Sequence, residues 1–258
     1  MEVAMVTIIN GRVIGGGDDE NKKKPAKTVD NIPAGSEFEH DGPVVVLNKI
    51  GADAVVKITN GSLTAKDVED GAKIKVTQDS DGDSSTIVSV TTSRSSFNSI
   101  SSTSISTGDT AEIKITGHVG DDVTLVADHS VNMKHSGDNL HAKAGHSFDG
   151  LKIGAKACIQ AGHNVSIYEA GDGAELMSGH NMKLGIMGKG GSAQAGHSFN
   201  SAYVDEKCTV MSGHNMDVRK AHQTASLRAG HKKHVGTVFG QSDTSSRQTN
   251  NRKNRFDF

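Results

Sequence analysis

A chain of 258 residues with 28 Lys and Arg against 30 Asp and Glu has a formal charge of −2, which leaves no global field to draw nucleic acid or an acidic membrane. Aromatic residues make up 3%, Trp is absent and Gly occurs 30 times, so a conventional core built on large aromatic side chains is excluded. What remains is an economical arrangement of small residues with Val, Ile, Leu and Met, as stacked repeats provide.

The first apolar run, Val3 to Ile9, is broken by Thr7 and followed by Asn10, Gly11 and Arg12. It is too short for a signal-peptide core or a membrane span, so a cytoplasmic protein is expected, with secretion by a route lacking a Sec signal as the alternative. Residues 15 to 30 are rich in Gly, Asp, Asn and Lys and read as a loop or linker. Short β-branched runs follow at Val44 to Leu47, Val55 to Ile58, Ile74 to Val76 and Ile87 to Val90, as at Val6 to Ile9 before them, separated by Asn-Gly, Asp-Gly or Gly-Ala. The Ser/Thr-rich stretch 93 to 108 reads as a loop or thin strands. Residues 1–110 are therefore an irregular β region, expected to supply N-terminal coils or a cap for what comes next.

Residues 111–234 contain an internal repeat. Ala-Gly-His or Ser-Gly-His recurs, opened by a degenerate copy at Asp128-His129-Ser130, so that His129, His146, His163, His180, His197, His214 and His231 stand seventeen residues apart. Two positions after each His lie Val131, Phe148, Val165, Met182, Phe199 and Met216; thirteen after lie Ala142, Ile159, Leu176, Ala193, Val210 and Leu227. A weaker apolar column seven after the His holds Ile153, Ala170, Met187, Val204 and Ala221. Intervals of about five, six and six match neither a helix nor one alternating strand, and seventeen residues cannot make a helix pair. The expected fold is all-β: a parallel β-solenoid, a three-sided β-helix of about 17 residues per coil. Gly at the repeated corner is expected to permit a backbone conformation that other residues resist. After residue 235 the repeat fades into a basic tail, 235–258, expected to be disordered.

Cys158 and Cys208 fall three coils apart, roughly 14 Å at the spacing of neighbouring strands, so free thiols are expected. The His ladder is the unusual feature. Six intervals of about 4.8 Å would set seven imidazoles along roughly 29 Å of one edge. Such a row admits a divalent transition metal or collective titration, although each coil supplies one His and a discrete zinc site needs three or four converging ligands. The plainer reading is that each His fills a corner, and no cofactor is required. His135, His141, His222 and His234 fall in other columns and read as solvated surface residues.

No catalytic set emerges. Asp121-Asp122 and Asp205-Glu206, the tight acidic pairs of the repeat region, read as surface turns, and Gly188-Lys189-Gly190-Gly191-Ser192 lacks the spacing of a phosphate loop. No small-molecule substrate and no nucleic acid partner are expected.

The coils around Ile113 to Lys134, with Gly117-His118-Val119-Gly120 and Val123-Thr124-Leu125, resemble those of bactofilins, bacterial polymer-forming β-solenoids. The resemblance covers roughly residues 110 to 230, lies in coil length and apolar spacing, and implies end-to-end filament assembly without nucleotide or catalysis. Ile8-Ile9-Asn10-Gly11-Arg12-Val13-Ile14 and Ile58-Thr59-Asn60-Gly61-Ser62 are similar to bacterial adhesin-type β-solenoids. A non-enzymatic scaffold that binds itself or another protein along one face is thus expected. A metal- or pH-responsive protein and a secreted bacterial effector or surface protein are the alternatives.

Overall fold

The computed structural model of the chain describes residues 25–78 and 111–240, with the backbone of two short strands, Thr7–Ile9 and Arg12–Ile14. These two pair antiparallel with each other. Every other strand joins one of two parallel sheets, and among the described residues there is no helix. Eleven strands, from Lys27–Ile32 to Lys232–Phe239, form a long sheet; ten, from Glu37–Asp41 to Ser226–Ala229, form a short one. The chain alternates between them, one strand in each per coil. Seventeen residues separate paired positions through the regular part, as in Val165 with Met182 and Leu176 with Ala193. This is the expected parallel β-solenoid, and about ten inter-strand steps give a rod core of roughly 48 Å.

Two sheets make three sides because the long one is creased. In Asn164–Ala170 the buried residues are Val165, Ile167 and Ala170, so alternation holds and then skips a beat. Pairing with the next coil skips at the same place, from Ile167–Leu184 to Glu169–Ile186. Each coil therefore sends six side chains inward. In the coil of His163 these are Val165, Ile167, Ala170, Ala174, Leu176 and Ser178. Three of these columns were visible in the repeat; the three others hold small or variable residues that hide the pattern.

Volume is balanced within a coil. Phe148 is followed two residues later by Gly150, and a Cβ at Gly150 would crowd the Phe148 ring and Ile153. Phe199 is matched by Ser201, and Met187 by Gly191, whose missing side chain makes room for the Met187 methyl. Where Ser136 occupies the position of Met187, Leu140 fills the space that Gly191 leaves. Such balance keeps each coil near native density although no column has a fixed size.

The N-terminal coils belong to the same two sheets. Lys27 pairs Val44, Val44 pairs Leu63, and Leu63 pairs Ile113. The described chain breaks off at Gln78 and resumes at Ala111, whose coil stacks directly on the one before it. Asp128 sits over that junction: its carboxylate accepts the Gln78 N–H at 2.9 Å, its own N–H reaches Val76 and the His129 N–H reaches Ala111. Strand Lys27–Ile32 begins inside the stretch 15 to 30 read as a loop or linker, and Lys232–Phe239 carries the stack past residue 234. The expected strand at 87–90, the Ser/Thr-rich 93–108, the rest of the linker at 15–24 and the basic tail from 241 lie outside the described residues.

The two corners of a coil use different chemistry. In the corner between long and short strands one residue is left-handed: Asp53 (φ 55°), Asn139 (56°), Lys156 (54°), Gly173 (67°), Gly190 (66°) and Lys207 (57°). The Gly of the Gly-His corner is not left-handed, which corrects the expectation placed on it. A Cβ on Gly162, Gly179, Gly196 or Gly213 would instead run into the carbonyl oxygen of the glycine one coil earlier. Close approach of backbones, rather than an unusual φ, excludes a side chain there. Among the seven His copies, Asp128 alone replaces this glycine.

Gly179→Ala should therefore cost about 3 kcal/mol or more, because strands must separate, whereas Gly190→Ala, left-handed but with open space around it, should cost about 1–2 kcal/mol. Urea unfolding followed by circular dichroism measures both; equal losses would refute the close-approach account.

Candidate functional site

The seven repeat histidines form one continuous column. Successive ring centroids are 4.9, 4.9, 5.1, 5.0, 4.9 and 5.1 Å apart from His129 to His231, and adjacent ring planes diverge by 1° to 22°. The backbone imposes this spacing. From His146 on, each His N–H donates to the carbonyl of the His one coil earlier, at 2.7 Å from His146 to His129 and 2.8–2.9 Å thereafter. The same carbonyl also accepts the N–H of the residue after the next His, as Asn164 to His146 at 3.2 Å. Where that neighbouring residue is Ser, its hydroxyl meets the ring: Ser130 with His129 Nδ1 at 2.9 Å, Ser147 with His146 Nδ1 at 2.8 Å and Ser198 with His197 Nδ1 at 2.9 Å. His129 and His197 are half-buried and the other five exposed.

Near-parallel rings send equivalent nitrogens in the same direction, about one coil apart. One ion holds two imidazoles only if both lone pairs point at it from about 2.0–2.1 Å, so sharing between neighbours demands ring rotation. Among the described residues no three His, Cys, Asp or Glu side chains group to hold a metal. The column presents seven separate imidazoles rather than a chelate.

The other histidines divide. His135 and His234 are exposed, His234 with its Nδ1 2.9 Å from Asp217. His141 and His222 are half-buried, which corrects the surface reading for these two. Burial lowers the His141 pKa, partly countered by Asp122, and so favours the neutral ring. In register above it stands Cys158, whose thiol burial and Glu175 push up to about 11. Cys208 is buried, its pKa also raised by burial, and neither cysteine is in a disulfide. The Cys158 and His141 columns thus meet as a neutral pair without an activated nucleophile.

The acidic pairs are corner residues. Asp121 Oδ1 accepts the Asp138 N–H at 2.7 Å, as Asp70 accepts that of Asp121 at 2.9 Å, Asp138 that of Ala155 at 2.7 Å and Asp172 that of Lys189 at 2.8 Å. Four aspartates thereby fasten four turns to the coil that follows, a column that went unrecognised because Ala155 and Lys189 interrupt it. Glu206 pairs with Lys189 at 2.8 Å, and that hydrogen bond holds its carboxyl below the ordinary range. The Gly188–Ser192 segment is such a corner too.

Two further features bear on binding. Along the crease, Leu151 (50% exposed), Tyr168 (64%) and Ile186 (37%) stand outward on consecutive coils, the Tyr168 ring beside Gly185. Tyr203 comes next and stacks on Phe239 at 5.1 Å. The second feature is at the ends. The buried column two residues after each His is apolar from Val44 through Met216, but among the described residues its first member is Lys27 and its last is Lys233. Seventeen residues beyond Met216, Lys233 was legible in the repeat; the irregular N-terminal spacing concealed Lys27.

No protein-family model, curated protein or solved structure matches the chain. Among the described residues no helix is long and apolar enough to cross a membrane.

Equilibrium dialysis of the native protein against Ni²⁺, Cu²⁺ and Zn²⁺ should show only weak uptake at the column. Tight uptake abolished by His163→Ala/His180→Ala/His197→Ala would mean that the rings turn to share ions. The thiols give a second measurement: a pKa raised from 9.0 to about 11 keeps Cys158 protonated at pH 8, lowering its thiolate by about a hundredfold. Reaction with a disulfide reagent should be slow in native protein, should rise with pH toward 11, and should be fast in urea.

Proposed function

We propose that the protein is a non-enzymatic scaffold: a rigid rod that displays linear arrays of side chains along its sides to a protein partner. The observation that carries this reading is the repetition itself. Outward residues of successive coils are held at one spacing, so chemistry is laid out in rows instead of converging on a point. Catalysis needs the second arrangement, with acid, base and stabiliser aimed at one reacting atom.

A cavity on the long sheet fits the same reading. A shallow, open trough of about 300 Å³ on the long sheet is lined by Asn164, Ser166, Asn181, Lys183, Ser198 and Asn200 with the edges of Val165 and Met182. Lys183 is its one charged residue, and no acid–base pair faces it. The crease offers what a partner needs for anchorage: exposed Leu, Tyr and Ile side chains on a backbone that cannot rearrange, flanked by the cross-coil pair Lys152–Glu169 at 3.0 Å. The likeness to bactofilin and adhesin-type coils supports a structural role and a bacterial setting.

A photo-crosslinking residue at Tyr168 or Ile186, on the crease, should capture one partner in the source cell, and the same residue at Lys156 or Lys207, in the far corner, should capture little. Equal capture at all four positions would count against a defined lateral face, and turnover of a substrate by the purified chain would count against a scaffold.

A further inference from the structure

The two ends of the rod carry the same device. At the N-terminal end Lys27 begins the innermost column, pairing Val44, and its ammonium lies 5.1 Å from the centre of the Phe38 ring. Phe38 begins the column of the opposite wall, pairing Val56. At the C-terminal end Lys233 closes the innermost column above Met216, and its ammonium donates to the Leu227 carbonyl at 3.3 Å. Leu227 closes the opposite wall above Val210. Each lysine thus spans the mouth of the core, stem over the apolar interior and charge on the far wall.

We propose that Lys27 and Lys233 shut both end faces against head-to-tail stacking of a second copy, and so fix the rod at the length that this chain encodes. The end strands present edges that a second copy could extend, since both sheets are parallel and both ends share one register. Continuing the stack would set Lys233 of one copy directly beneath Lys27 of the next. Two ammonium groups would then stand about 4.8 Å apart in an apolar column, stripped of water and without a carboxylate in that column to neutralise them. Inward-pointing charge at a sheet edge is a means by which β proteins prevent such association. This goes beyond the lateral scaffold: it states which self-association the ends forbid, and a partner on the crease is indifferent to it.

Sedimentation velocity on the full chain tests the device. Wild type should remain one species of unchanged size as concentration rises. The Lys27→Val/Lys233→Met protein, which completes the column with apolar residues, should associate at least about tenfold more strongly, into elongated particles. Charge exchange gives an independent arm. Lys233→Glu alone should associate in a salt-sensitive way, because its carboxylate meets Lys27 of the next copy, and Lys27→Glu/Lys233→Glu should return to wild-type behaviour. Circular dichroism checks that each variant folds. Head-to-tail polymers of wild type overturn the proposal, as does a folded Lys27→Val/Lys233→Met or Lys233→Glu protein that sediments as wild type.

Discussion

Hydrogen bonding between coils is the constraint on which everything else rests. Each backbone N–H of a strand reaches the carbonyl one coil away, and this fixes the translation at the spacing of neighbouring strands. Once that step is set, any residue kept at a seventeen-residue interval meets its own counterpart. Glycine at the Gly-His corner survives because backbones pass there too closely for a Cβ. Histidine beside it then repeats at the coil spacing, and its rings stack at 4.9–5.1 Å. The Asp corner is the counterpart on the other side: a side-chain oxygen replaces a missing backbone acceptor and carries the bonding round the turn.

The same constraint explains why the chain spends so few aromatic residues. A conventional core must be filled in three dimensions, whereas here each coil need only fill a thin triangular slice and resemble its neighbours. Phe148 with Gly150, Phe199 with Ser201 and Met187 with Gly191 show how that is done locally, one large residue offset by one small residue of the same coil. Stability is then nearly a sum over neighbouring coils, so damage to one corner weakens two interfaces without destroying the rest. Among the described residues the interior column ends at Lys27 and Lys233, whose stems lie across it.

Functionally, translation favours display over convergence. Rows of imidazole and of Asn and Ser run along the axis, each a surface with a direction and a pitch, while Leu151 and Tyr168 stand in one column of the crease and Ile186 in the next, above Glu169. A partner able to read such a row gains contacts in step with the coils. Titratable groups that do sit together, such as His141 and Cys158, are biased toward their neutral forms by burial.

The sequence by itself determined the period, the solenoid class, the seven-membered His column and half of the interior columns, because these depend only on which residues recur at a fixed interval. It misjudged the corner glycine, since composition records that a Cβ is absent and not what that Cβ would have struck. It missed the in-coil balance of Phe148 with Gly150 and the broken Asp column, where each position varies and only the pair or the chain of bonds is maintained. The tertiary structure alone decided that Lys27, outside the recognisable repeat, occupies the same column as Lys233, and that Phe38 and Leu227 stand opposite them. Register across an irregular stretch is fixed by sheet pairing, and residues 79–110 separate coils in sequence that are neighbours in space.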